Sequence, residues 1–302
     1  MQRLLAITVP AVLALLLCTS GATGQPGGGA AADPRGTTAS GGVSAGEQQD
    51  GLLKEANKQL TNPISNVWSL ALKQSNYLLN NPHAWNSELQ FEPLLPVALT
   101  RDWNLVTKPV LKFFDSKPYI NSDGNSERAA GLGDSTLTTV LSPNTSNWLL
   151  GLGPTFVLPT ASTQQTGDGK WQAGPAAVFG YLSKSWLLAV YPQQWWSFAG
   201  QSDRSATNKL QLQYFAHYFV GDGWSIGMSP NILVNWEASS GQRLTFPVGL
   251  GFSKVVEVCG VAVKFEIQGE YMAIRPDSSG QEWNIQFQIT PRLSKLIQGT
   301  LF

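Results

Sequence analysis

The chain has 302 residues with 20 basic and 20 acidic side chains, so its formal net charge is zero, and only 13% of its residues are charged. That balance excludes the basic surface a nucleic-acid partner requires and the charge excess of an acidic tail. Beyond the first residues no apolar run reaches the roughly 18 needed for a membrane helix, yet aromatic residues make up 10% of the chain and include 11 Trp.

The chain opens with MQRLLAITVPAVLALLLCTSGATGQ. Arg3 supplies a positive start, Leu4 to Leu17 an apolar stretch, and Ala22 and Gly24 the small residues of a cleavage site, so residues 1–24 read as a secretory signal peptide. Cys18 follows Leu17 where a lipoprotein needs a small residue, which argues against lipidation. Residues 25–50 are dominated by Gly, Ala, Ser, Thr and Gln; they bury too little surface to offset chain entropy and read as a disordered linker. Leu52, Leu53, Ala56 and Leu60 then fall on helical spacing behind Asp50, which predicts a short periplasmic helix over 51–61.

From residue 62 the period changes to two. Between Trp85 and Leu99, the residues Trp85, Leu89, Phe91, Leu95, Val97 and Leu99 share one parity, and Asn86, Glu88, Gln90 and Glu92 take the other. Such a strand has one oily and one charged face. Its length exceeds the usual strand of about 5 to 6 residues and reaches the roughly 9 to 11 that cross a bilayer at a tilt. Comparable segments lie at 65–79, 84–99, 102–114, 130–142, 147–159 and 170–182, and again at 185–199, 207–220, 223–236, 242–254, 260–275 and 282–291. They predict an all-β fold over 62–302, a transmembrane antiparallel β-barrel of about 12 strands, the even number that single-chain bacterial barrels use. Leu293, Leu296, Ile297 and Leu301 suit a helical face, so the last strand is expected to stop near Pro291.

The connections alternate. Those at 100–102, 183–185 and 221–223 are tight, whereas 115–130, 160–169 and 200–206 are longer and polar, as expected for periplasmic turns and surface loops. The loop at 115–130 is the longest, which makes it the expected constriction. Trp103, Trp148, Trp186 and Trp224 open strands at the tight-turn side, while Trp85, Trp171, Trp236 and Trp283 lie at the opposite ends, giving two aromatic girdles.

With outward parity set by apolar residues, the lumen is expected to hold Glu88, Glu92, Lys108, Lys112, Asp134 and Lys209. Farther along the chain it takes Gln211, Gln213, His217, Arg243, Lys264, Glu266 and Glu270. Acids and bases are balanced there, so no strong ion selectivity is expected. In KLQLQYFAHYF the rings of Phe215 and Phe219 share the polar stripe's parity and offer apolar contact to an organic solute. An enzyme is not expected: His83 and His217 are the two histidines, and neither lies in a nucleophile motif. No cofactor or metal site is expected either. Asp123 and Asp168 sit in Gly-containing turns, whose backbone demands explain them more simply than calcium does.

Several stretches carry a family resemblance: Asn62-Pro63-Ile64-Ser65-Asn66, Gly131-Leu132-Gly133-Asp134, Gly169-Lys170-Trp171 with Gly174-Pro175, and Trp196-Ser197-Phe198-Ala199-Gly200. Gly223-Trp224, Asn235-Trp236 and Pro247-Val248-Gly249-Leu250-Gly251 continue it. In their order and spacing the chain resembles the bacterial outer-membrane β-barrels associated with the meta-pathway of phenol degradation, also labelled neuromedin-U-like or transporter-like. The resemblance implies uptake of small, apolar or aromatic organic molecules. The glycine-rich stretch at 25–50 departs from that pattern.

Two functions fit a lumen of balanced charge. One is an outer-membrane channel or transporter for small organic solutes; the other is a barrel plugged by paired charges that acts as a structural or interaction protein. Expected partners are membrane lipid, a small-molecule solute and the barrel-assembly machinery, with no nucleic acid.

Overall fold

A computed structural model describes residues 45–80, 83–276, 280–294 and 300. The expected signal peptide and the expected linker up to residue 44 lie outside the described residues. The first element, α1 (Ala45–Thr61), begins at Ala45 rather than at the expected Gly51. Glu47 in its first turn and Lys58 in its last complement the helix dipole.

Fourteen strand segments follow: β1 (Ser69–Leu79), β2 (Trp85–Ala98), β3 (Trp103–Ile120), β4 (Ser126–Gly131), β5 (Ser135–Pro143), β6 (Trp148–Leu158) and β7 (Lys170–Leu182), then β8 (Trp186–Gly200), β9 (Asn208–Gly221), β10 (Trp224–Met228), β11 (Asn231–Asn235), β12 (Leu244–Val258), β13 (Val261–Ile274) and β14 (Gln281–Pro291). Every neighbour is antiparallel, and β14 pairs with β1 from Leu72 opposite Ile289 to Leu79 opposite Gln281, which closes the sheet. β10 and β11 form a single stave, because both lie between β9 and β12 in one register and are interrupted only at Ser229-Pro230. Pro230 has no N–H to give the ladder. β4 and β5 likewise run in one register against β3, so the wall is a closed barrel of 12 staves.

Side chains follow the two-residue period. In β9 Phe215, His217 and Phe219 are buried while Tyr218 and Val220 are exposed; in β13 Lys264, Glu266 and Glu270 are buried while Phe265, Ile267 and Tyr271 face out. Polar residues are therefore inside and apolar ones outside, the inverse of a water-soluble sandwich. A continuous outer apolar band of this kind requires lipid. Phe113 and Phe114 both face out because a register shift opposite Leu89 and Gln90 inserts a bulge there, which turns Asp115 inward.

The two rims differ. At one, two-residue turns Asp222-Gly223 and Cys259-Gly260 have positive φ at both positions (46° and 70°, 50° and 78°), the geometry that matches strand twist in a tight hairpin. At the other rim the connections are longer. The segment 115–130, expected to be a loop, is instead a β-hairpin: Asp115 pairs with Gly131 and the ladder continues to Ile120 opposite Ser126. Asn121 closes its tip by accepting from the amides of Asp123 and Asn125 at 3.0 and 2.8 Å. A laddered hairpin satisfies its own backbone and projects past the rim, so the expected constriction is not formed there.

Candidate functional site

The lumen is divided by height. Toward the long-loop rim it encloses a cavity of about 390 Å³ whose lining includes Glu88, Glu92, Lys108, Lys112, Asp134, Lys209, Gln211, Gln213 and Glu270. One wall is a charge ladder over β1, β2 and β3. Glu92 on the central strand takes Lys108 at 2.9 Å on one side and Lys73 on the other, and one step up Glu88 takes Lys112 at 2.8 Å. Alternating Glu and Lys on neighbouring strands brings each carboxylate within diagonal reach of a cation. Lys73 was not among the expected lumen residues, although Leu70, Leu72 and Leu78 set the outward parity of β1 and leave Lys73 inside.

The facing wall is neutral. Thr138 donates to Gln193 Oε1 at 2.8 Å and shares a 2.8 Å hydroxyl contact with Thr155, which accepts from Trp195 Nε1 at 3.1 Å. Tyr191 and Trp195 add aromatic faces to this side, and Tyr77 adds one across the cavity.

A loop covers the cavity. Residues 159–169, between β6 and β7, fold inward, and Gln165, Thr166, Gly167 and Asp168 reach the cavity. Asp134, in the break between β4 and β5, holds both ends of this loop: it accepts from the amides of Ala161 at 3.1 Å and Asp168 at 2.7 Å. Arg204 donates to the carbonyls of Gln164 at 2.8 Å, Asp168 at 3.2 Å and Gly167. Lys209 pairs with Asp168 at 2.7 Å. Burial pushes the Asp168 carboxyl up, but the Lys209 ammonium and the hydrogen bonds from Lys209 and Gln172 outweigh it and hold the group below the ordinary carboxylate range. Gly167 is required by this packing, since a Cβ there would lie 2.3 Å from Ala161 Cβ and 2.5 Å from Asp134 Oδ1. The constriction therefore comes from the second long connection. Its Asp168, Gly167 and Thr166 carry no pattern that separates an inward loop from an ordinary turn.

Below the cavity one side of the lumen is packed and apolar, while buried polar side chains such as His217, Lys264, Glu266 and Gln268 fill the other. Val106, Val140, Leu149, Val178, Leu187, Phe215 and Phe219 form one buried cluster with Leu94 and with Ile64, which enters from the segment after α1. Phe215 and Phe219, expected to offer contact to a solute, are thus part of a floor. Among the described residues, Ala56 and Leu60 of α1 pack on Val255 at the tight-turn rim. Polar contacts fix the helix there: Asn57, fully buried, donates to the Gly223 carbonyl at 2.7 Å, and Lys264 donates to Thr61 Oγ1 at 2.9 Å while pairing with Glu266 at 2.5 Å. His217, Lys264 and Glu266 point inward as expected, but they are buried outside the cavity's lining, at the level of the floor and helix. Arg243 is not in the lumen. β11 ends at Asn235 and β12 begins at Leu244, so Arg243 falls in an exposed turn, where it donates to the Ala238 carbonyl at 3.2 Å.

The eight Trp expected at the girdles are each exposed at a strand end. Trp103 (43%), Trp148, Trp186 and Trp224 mark the tight-turn rim, and Trp85, Trp171, Trp236 and Trp283 (48%) the other.

A similar architecture exists among solved structures. An outer membrane channel from Pseudomonas putida F1 aligns with a TM-score of 0.58 at 13% identity, over 77% of this chain and 98% of that one. The likeness is one of fold, a closed antiparallel β-barrel of the outer-membrane type. The NanC porin aligns with a TM-score of 0.46 at 9% identity, over 74% of this chain and 99% of its own. No family model and no curated protein matches the sequence.

Proposed function

We propose that the protein is an outer-membrane channel for small organic solutes, which enter the cavity from the long-loop rim at the cell surface and leave past α1 at the periplasmic rim. The observation that carries this reading is the cavity itself. A space of about 390 Å³ inside a closed wall, covered by a tethered loop and floored by wall side chains together with Ile64 from the segment after α1, fits one small molecule at a time. Tyr77, Tyr191 and Trp195 give flat faces to an organic ring, and the charge ladder offers hydrogen bonds to its polar substituents. The resemblance to the phenol-degradation barrels supports aromatic solutes. Membrane lipid surrounds the apolar band, and the barrel-assembly machinery inserts it.

The dry floor favours a second reading, a permanently filled barrel with a structural or interaction role. Single-channel recording of the protein in a planar bilayer, with and without residues 45–64, separates the two. Discrete steps that phenol-like solutes block and sugar-like ones do not are the expected result. Silence from both proteins would overturn the channel and leave the filled barrel.

A further inference from the structure

Glu270 differs from the other lumen carboxylates. Glu88, Glu92, Asp115, Asp168 and Glu266 each face a lysine, and Asp134 is occupied by the backbone amides of the inward loop. Among the described residues Glu270 has no ion pair. Its Oε2 accepts from Asn284 Nδ2 at 2.9 Å and its Oε1 accepts from Gln268, so each oxygen keeps a lone pair for another donor.

The neighbours of Glu270 lack donors too. The register places Asn86, Tyr77, Asn284 and Glu270 side by side in one row across β2, β1, β14 and β13, all lining the cavity. Asn284 is 99% buried by its 1% exposure and Asn86 is 6% exposed, yet the Oδ1 of each has no hydrogen-bond partner. The bond from Asn284 Nδ2 to Glu270 fixes that amide's orientation, because a reversed amide would set its oxygen against the carboxylate. The row therefore presents one carboxylate that makes no ion pair, with Lys73 acting on it only at longer range, and two carbonyl oxygens without donors, with the Tyr77 ring between the two Asn residues. Leaving such buried groups unpaired is unfavourable.

A group that satisfies both Glu270 and Asn284 carries positive charge and several N–H donors. A bare metal ion fits poorly, since among the described residues no three acidic, His or Cys side chains converge as ligands. Glu270 and Asn284 lie on the adjacent strands β13 and β14, about 4.8 Å apart, a spacing that an alkylammonium can bridge with separate N–H bonds while its carbon body lies on the Tyr77 face; Asn86, two strands from Asn284, lies beyond that group's reach. We propose that Glu270, Asn284 and Tyr77 form a subsite for the ammonium group of an organic solute. The inference rests on the channel reading and names the solute class that the channel would favour.

The test is calorimetric titration of the full chain, folded in detergent at neutral pH, with phenethylamine and with 2-phenylethanol, which differ in the ammonium group. The expected result is that the amine binds about 10-fold or more tightly than the alcohol, and that E270Q brings the amine down to the affinity of the alcohol. Equal binding of the two by the unaltered protein would overturn the ammonium subsite and leave the channel reading standing. Binding of neither would count against both. The comparison of the two solutes on the unaltered protein needs no variant, so it decides the matter even should E270Q fail to fold.

Discussion

The upper and lower halves of the lumen are built from the same strands and yet have opposite interiors. Along β9, Lys209, Gln211 and Gln213 face a cavity, whereas Phe215 and Phe219, with the same parity a few residues on, are packed in a dry cluster. Along β2 the change comes between Glu92 and Leu94. Parity decides whether a side chain is inside the barrel; height along the strand decides whether that interior is wet or packed. The difference shows that a β-barrel can carry a cavity and a packed core in one tube, with the core joined by a residue from outside the wall.

The largest effect should come from removing the part of the floor that is not wall. Deleting residues 45–64 takes away Ile64, Leu60 and Asn57 together, and conductance in a planar bilayer should rise about tenfold or more, since a dry apolar constriction becomes a hydrated one. Filling is also tested from within the wall. Phe219 is completely buried in the floor, so Phe219→Ala should cost about 3 to 5 kcal/mol of stability, measured by urea-dependent folding into vesicles.

In the upper half the strongest expected perturbation is Glu92→Gln, which leaves Lys73 and Lys108 without their shared carboxylate. Both lysines retain some access to the cavity, so the stability cost should be about 2 kcal/mol, below that of a fully buried broken pair. The reversal potential in a salt gradient should move toward anions. The smallest effect concerns the inward loop. Because the Asp168 carboxyl is held below its ordinary range, its tether to Lys209 is intact above the ordinary carboxylate pKa of about 3.9 and is lost as pH falls through the lowered value. Conductance of the protein lacking residues 45–64 should therefore stay level from neutral to about pH 4 and rise less than twofold in stronger acid. Asp168→Asn should show that rise already at neutral pH; a level profile in both would mean that Asp134 and Arg204 alone hold the loop.

Much of the wall is legible in the sequence, because a lipid-facing strand must keep one parity apolar over its whole length. That single requirement exposes the staves, the lumen positions of β2, β3, β9 and β13, and the Trp at both rims. It fails where a local event breaks the period. The bulge at Phe113 and Phe114 reverses the parity of β3 and hides Asp115 and Lys117, and the turn after Asn235 takes Arg243 out of the wall. The site is less legible than the fold. Nothing in the composition of residues 159–169 says that the loop turns inward, since its tethers come from Asp134, Arg204 and Lys209, distant in sequence. The floor is equally hidden, because an inward Val or Phe has the same parity as an inward Lys and differs from it only in what approaches from α1.

The pairing of β1 with β14 has a consequence for how the molecule is made. Leu72 finds its partner in Ile289, so the first wall strand waits for a segment about 200 residues downstream before its second edge is satisfied. Until then both strands are open edges, each able to recruit a foreign strand. A chain translated from its N-terminus cannot shorten that interval by folding early. Any interval before residues 281–291 reach β1 is spent with those two edges open.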